Sequence, residues 1–182
     1  MSMHRQLPRT VLLSALLAVG LSASPIVQYQ VTTNGNTGTY QYFVSGFDFL
    51  VNQALDIQFG QIGPNNLFGQ LSNGKAPAGF DLILFQPNNP PQAPGDYSAL
   101  ALVSHPSLSG TFSVDFTLSG TGVPGSQLFT ISQFDSNGNF VSLLASGSTQ
   151  LAGSAVPEPP SFLPCGVALV IAGISLVRRA LA

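Results

Sequence analysis

The chain has 182 residues, room for one ordinary domain plus targeting segments. Only 7% of them are charged, and the basic ones crowd the ends as Arg5, Arg9, Arg178 and Arg179, with Lys75 alone between. Against that one lysine the middle sets Asp48, Asp56, Asp81, Asp96, Asp115 and Asp135, so a nucleic-acid partner, which needs several cations to neutralise phosphates, is not expected. Thirteen Phe and four Tyr, with many Val, Ile and Leu, supply enough apolar surface to offset chain entropy. Solubility falls to Asn, Gln, Ser and Thr, and the single Cys165 excludes an intrachain disulfide.

The N-terminus carries Arg5 and Arg9, then an apolar run from Val11 to Leu21 and the small residues Ser22, Ala23 and Ser24. A positive segment, a short apolar core and a small-residue cleavage zone predict a signal peptide over residues 1–24. Gly20 and Ser22 suit the two pocket positions for cleavage after Ser22, and no cysteine follows that would signal a lipoprotein.

From residue 25 to 146 the period is two. Val27, Tyr29, Val31 and Thr33 alternate with Gln28, Gln30 and Thr32, and Tyr40, Tyr42 and Val44 alternate with Gln41 and Ser45. Asp56 to Phe59 is a further strand candidate. Phe80 to Phe85 is apolar at nearly every position, as a central strand would be. Pro87 to Pro94 reads as a surface loop, and Tyr97 to Val103 as another strand. Phe112, Val114, Phe116 and Leu118 alternate with Ser113, Asp115 and Thr117 in the clearest half-buried strand. Gln127 to Phe134 and Phe140 to Ala145 complete the set. Turn signals separate them at Asn34-Gly35, Ser72-Asn73-Gly74, Ser119-Gly120 and Asp135-Ser136-Asn137-Gly138. Eight short strands at about ten-residue spacing, without a helical stretch or a fixed repeat, predict an all-β domain, a small antiparallel β-sandwich or jelly-roll-like fold. Residues 147–155 read as a small-residue linker.

Within this domain no constellation of residues announces catalysis. His105 is the only histidine left after signal removal, and without a Gly-x-Ser-x-Gly elbow it reads as a solvated loop residue. The six aspartates are scattered along the chain, with no close pair for glycoside chemistry, and Asp115 falls on the exposed face of its strand. Asp135-Ser136-Asn137-Gly138-Asn139 offers oxygens at alternate positions, but Gly138 is fourth and Ser146 twelfth, which departs from the EF-hand pattern. A hairpin turn accounts for it. No cofactor, metal or catalytic residue is expected. Tyr29, Tyr40, Tyr42 and Tyr97, with abundant Asn and Gln, are tools for binding a glycan, although most are expected to serve the core or cross-strand pairs.

The C-terminus is the more specific end. Val156-Pro157-Glu158-Pro159-Pro160 precedes an apolar run from Phe162 to Val177, then Arg178-Arg179 and three last residues. Sixteen helical residues cover roughly 24 Å, less than the ~30 Å of a hydrocarbon core. A helix over 162–177 can sit in a bilayer with Arg178 and Arg179 reaching the cytoplasmic surface, which leaves the middle domain outside. This ordered triplet resembles the PEP-CTERM sorting domain of Gram-negative bacteria, over residues 156–182. By that resemblance Val156, Pro157, Glu158 and Pro159 are the recognition motif and Arg178 and Arg179 the stop signal. It implies processing near the motif by exosortase, a membrane-embedded cysteine enzyme, and a setting of exopolysaccharide production. The same residues would also serve a plain single-span anchor behind a Pro-rich linker. The sequence thus points to a non-enzymatic exported protein of the envelope or extracellular matrix, with a carbohydrate-binding module as the alternative.

Overall fold

The computed structural model describes residues 24–60 and 66–153. The expected signal peptide, apart from Ser24, and the expected sorting signal with its apolar stretch 162–177 lie outside those residues. Among the described residues there are ten strands: β1 (Ile26–Asn34), β2 (Thr37–Ser45), β3 (Gln53–Phe59), β4 (Phe68–Lys75), β5 (Phe80–Phe85), β6 (Gly95–Ala101), β7 (Phe112–Leu118), β8 (Leu128–Phe134), β9 (Phe140–Ser148) and β10 (Gln150–Leu151). None of the described residues forms a helix long and apolar enough to cross a membrane.

The strands form two five-stranded sheets, ordered β10-β1-β2-β7-β4 and β5-β6-β3-β8-β9. Every pairing is antiparallel except the short β1–β10 contact. Alternation decides what each strand contributes. In the first sheet Tyr40, Tyr42, Phe112, Val114 and Phe116 turn inward. In the second, Leu55, Ile57, Phe59, Tyr97, Ala99, Phe129 and Ile131 do so. These side chains join in one core shared by both sheets.

That core is chiefly aromatic. Phe59 meets Tyr40 edge-on at 5.7 Å and Phe68 at 5.1 Å, while Phe68 meets Phe116 at 5.4 Å. Edge-to-face geometry sets the positive rim of one ring against the negative face of the next. The buried tyrosines also need partners for their hydroxyls. Tyr40 donates to the Gly125 carbonyl at 2.9 Å, Tyr97 to the Lys75 carbonyl at 2.6 Å, and Tyr42 to Gln127 Oε1. Burial pushes all three phenols well above their ordinary range, so they stay neutral donors. The tyrosines are therefore core residues, as expected.

Three features differ from the sequence expectation. Phe80–Phe85 is an edge strand rather than a central one. Its second apolar face, Ile83 and Phe85, is open to solvent instead of being covered by another layer. Ser72-Asn73-Gly74 lies inside β4, where the turn chemistry yields a register irregularity between Ser72 and Lys75 and a positive φ of 49° at Asn73, not a chain reversal. The segment expected as a linker begins as strand: β9 runs on through Gly147 and Ser148, and β10 pairs with β1. Small residues fit there because the Phe129 ring lies against Gly147, 2.9 Å from where a Cβ would stand.

Close sheet contact also fixes Gly38. It faces inward on β2, opposite Phe116, and a Cβ there would fall 2.5 Å from the Phe116 ring and 2.5 Å from the Thr32 carbonyl oxygen. Backbone cannot yield as a side chain can. Gly38→Ala is expected to destabilise the fold by about 1–3 kcal/mol through overpacking, read as a lower melting temperature; an unchanged melt contradicts this packing.

Candidate functional site

The outward faces of the two sheets differ in kind. Across β1, β2 and β7 the outer positions are mostly polar, with Gln30, Thr32, Gln41, Thr39, Ser113 and Asp115 beside one exposed ring, Phe43 of β2. There Thr39 donates to Asp115 at 2.6 Å and Asn73 at 2.9 Å. These bonds, Thr39 foremost, hold the Asp115 carboxyl below its ordinary range. Asp115 is thus engaged as an acceptor on the outer side, where the sequence put it.

The outer face of the second sheet is instead apolar and acidic. Its strands place Ala54, Asp56 and Gln58 on β3, and Asp96, Ser98 and Leu100 on β6, facing away from the core. The edge strand β5 adds Ile83 and Phe85, each 52% exposed. Together with Phe134 these form a groove of about 540 Å³, with Asp135 and Gly138 of the β8–β9 turn at one end. A smaller hollow of about 170 Å³ continues across the sheet past Asp56 and Asp96 to Gln58, Leu128 and Thr130. Apolar walls with a few convergent polar groups are the usual make-up of a ligand site. A larger hollow, about 810 Å³, opens beside Ser24, Pro25, Phe47 and Leu144. It begins at Ser24, the first of the described residues, and no site is assigned to it.

Register explains how the two acids come together. Asp56 on β3 stands directly between Ser98 of β6 and Thr130 of β8, and both hydroxyls donate to its carboxylate. Asp96 lies two residues before Ser98, the diagonal neighbour of Asp56, with Gln58 beside it on β3 and Phe85 beside it on β5. Diagonal neighbours have Cα atoms about 7–8 Å apart, close enough for their charges to interact. Burial raises the Asp56 pKa above the ordinary carboxylate range, moderated by the Ser98 and Thr130 hydrogen bonds. Burial, then the charge of Asp56, pushes Asp96 up to about 7.

The sequence expectation of no close acidic pair is therefore corrected. Forty residues separate the two aspartates in the chain, and only the β3–β6 register makes them neighbours. One signal was present: Asp96-x-Ser98-x-Leu100 alternates with Tyr97-x-Ala99-x-Ala101, which marks Asp96 as outward beside an apolar outward position. The tyrosines named as tools for a glycan serve the core, as most were expected to. The rings left available outside the core are phenylalanines, Phe85 and Phe134 among them.

The other candidates stand as follows. His105 Nδ1 lies 2.6 Å from Asp48 Oδ2, both side chains exposed; no serine hydroxyl completes a triad there among the described residues. The Asp135 carboxylate accepts the N–H groups of Asn137 and Asn139, each at 2.8 Å, and the Asn139 amide at 3.0 Å. Those bonds, the Asn139 side chain first, lower its pKa and make the segment the expected hairpin turn. Among the described residues no group of three metal-binding side chains converges. Val156, Pro157, Glu158, Pro159, Arg178 and Arg179 lie outside the described residues. No family model, no curated protein and no solved structure matches the chain.

The acidic pair makes stability depend on pH in a defined direction. Between its ordinary value of 3.8 and about 7 the folded protein holds a proton on Asp96 that the unfolded chain lacks. This group's contribution to stability is therefore full at low pH and lost as pH rises through that window. Asp56 acts in the same sense. Asp96→Asn, which mimics the neutral acid, is expected to raise stability near pH 8 by on the order of 2 kcal/mol, with the gain fading toward about pH 4. Equal melting temperatures for variant and parent near pH 8 would contradict the buried pair.

Proposed function

We propose that this chain is a non-enzymatic exported protein of the cell envelope or extracellular matrix. Residues 1–24 direct export and residues 156–182 direct exosortase-type sorting, with transient insertion of 162–177 in the cytoplasmic membrane. Between these ends a small β-sandwich of jelly-roll-like character presents one outer face to a ligand. The observation that carries the binding role is the groove on the second sheet's outer face, with Ile83, Phe85, Leu100 and Phe134 around Asp56, Asp96 and Ser98, where the other outer face is mostly polar with one exposed ring, Phe43. Half-buried carboxylates beside exposed rings are costly to maintain on a purely structural surface.

The groove favours carbohydrate as the ligand. Sugar rings present an apolar C–H face that suits Phe85 and Phe134, and hydroxyls that suit Asp56, Ser98, Gln58 and Thr130. Extracellular polysaccharide, implied at the outset by the PEP-CTERM resemblance, is a ligand of this class.

Two measurements address the two parts. Mass spectrometry of the mature protein from the cell surface is expected to find a C-terminus lacking Arg178 and Arg179; recovery of the intact tail would overturn the sorting assignment. A glycan array probed with the purified protein is expected to give selective binding that Phe85→Ala weakens about tenfold, the loss expected of an aromatic anchor. Uniform silence across the array would remove the carbohydrate role.

A further inference from the structure

The lining of the groove is one-sided in charge. Asp56, Asp96 and Asp135 contribute to it, and neither it nor the adjoining hollow contains a Lys, Arg or His. The outer face also carries Asp81 on β5, two residues before Ile83 and exposed. Lys75 belongs to β4 of the other sheet, and His105 is held by Asp48. A ligand bearing carboxylate, sulfate or phosphate would meet only repulsion here.

A neutral ligand fits the walls but leaves the acids uncompensated. Asp56 has the Ser98 and Thr130 hydroxyls, whereas the hydrogen bond identified at Asp96 comes from the Tyr97 backbone N–H. The two carboxyls crowd each other in a partly desolvated setting, and an opposing cation brought between them would relieve that repulsion. A bare metal ion would find its oxygen donors set among apolar walls, where Phe85 and Leu100 could contribute nothing to coordination. The complementary ligand carries an amino cation on a ring with an apolar face. The two hollows run from the edge strand β5 across β6 and β3 to β8, and their shared acids lie mid-way, so an extended polymer fits better than a lone sugar.

We propose that the groove binds a polysaccharide of amino sugars with free, protonated amino groups, a partly de-N-acetylated hexosamine polymer. The ammonium group sits against Asp56 and Asp96 while the sugar rings stack on Phe85 and Phe134. This assignment rests on the carbohydrate reading above and narrows it to a cationic glycan. Binding favours the ionised form of Asp96, so complex formation near neutral pH releases a proton from the protein.

Calorimetry on the purified protein at about pH 6, where the amine stays charged, tests this with glucosamine hexamers, N-acetylglucosamine hexamers, cellohexaose and an oligolysine. The glucosamine hexamer is expected to bind at least about tenfold tighter than either neutral hexamer, with the preference reduced by added salt. Asp56→Asn and Asp96→Asn should each remove that preference, while Asp115→Asn, an equal charge change on the other sheet, should leave it intact. Phe85→Ala should weaken all hexamers alike. Equal binding of glucosamine and neutral hexamers would overturn the cationic assignment and leave the carbohydrate reading standing. Silence toward every hexamer would overturn both. Oligolysine binding as tight as the glucosamine hexamer would show a charge effect without sugar recognition, and a Ca²⁺-induced rise in melting temperature lost in Asp56→Asn would assign the acids to a metal; either result overturns the proposal.

Discussion

The inward aromatic layer is the interaction on which the rest of this structure depends. No disulfide ties the described chain, and the ion pair His105–Asp48 is exposed on the surface, where such pairs contribute little. Burial of Tyr40, Tyr42, Tyr97, Phe59, Phe68, Phe112 and Phe116 must therefore hold the two sheets together. Removing a ring of this kind costs about 3–5 kcal/mol, a large share of the stability of an ordinary domain. Because rings must interlock edge to face, the register of each strand is fixed to within one residue. A slip of one would turn every ring outward.

That fixed register has a consequence on the opposite side of the same strands. With Ile57 and Tyr97 paired inside, Asp56 and Asp96 have no choice but to stand outside on adjacent strands. With Leu84 inside, Phe85 stands beside Asp96. The core thus dictates the composition of the groove, and the groove in turn carries strain of its own. Two acids crowded and half-buried oppose folding above the pH at which they ionise. A domain with few charges to spare keeps this unfavourable pair beside the exposed Phe85 ring in an apolar-walled groove, which is the pattern expected where binding outranks stability.

Much of the fold was legible in the chain. Apolar runs and period-two alternation located eight of the ten strands, and in Phe112–Leu118 alternation also gave the correct inward face. The rest was not, for physical reasons. Ser72-Asn73-Gly74 has the chemistry of a turn, yet pairing with β7 absorbs it as an irregularity within β4. Phe80–Phe85 is apolar on both faces whether it lies in mid-sheet or lines an open groove, and alternation does not distinguish these. Residues 147–151 are small and polar like a linker, but backbone hydrogen bonds to β8 and β1 require no particular side chain. The groove itself was illegible because its acids meet only through long-range register, while the expectations of export and sorting rest on local pattern at chain ends outside the described residues.

The carboxyl carbon resonances of the aspartates, followed by NMR from about pH 3 to about pH 9, test the register-imposed acidic pair most directly. Asp96 should titrate near 7, where its burial places it, and Asp56 above the ordinary carboxylate range, with each curve distorted by the other. Asp115 should titrate below that range. If Asp56 and Asp96 instead titrate independently at the ordinary value near 3.9, they are neither buried nor paired, and the groove holds no acidic pair.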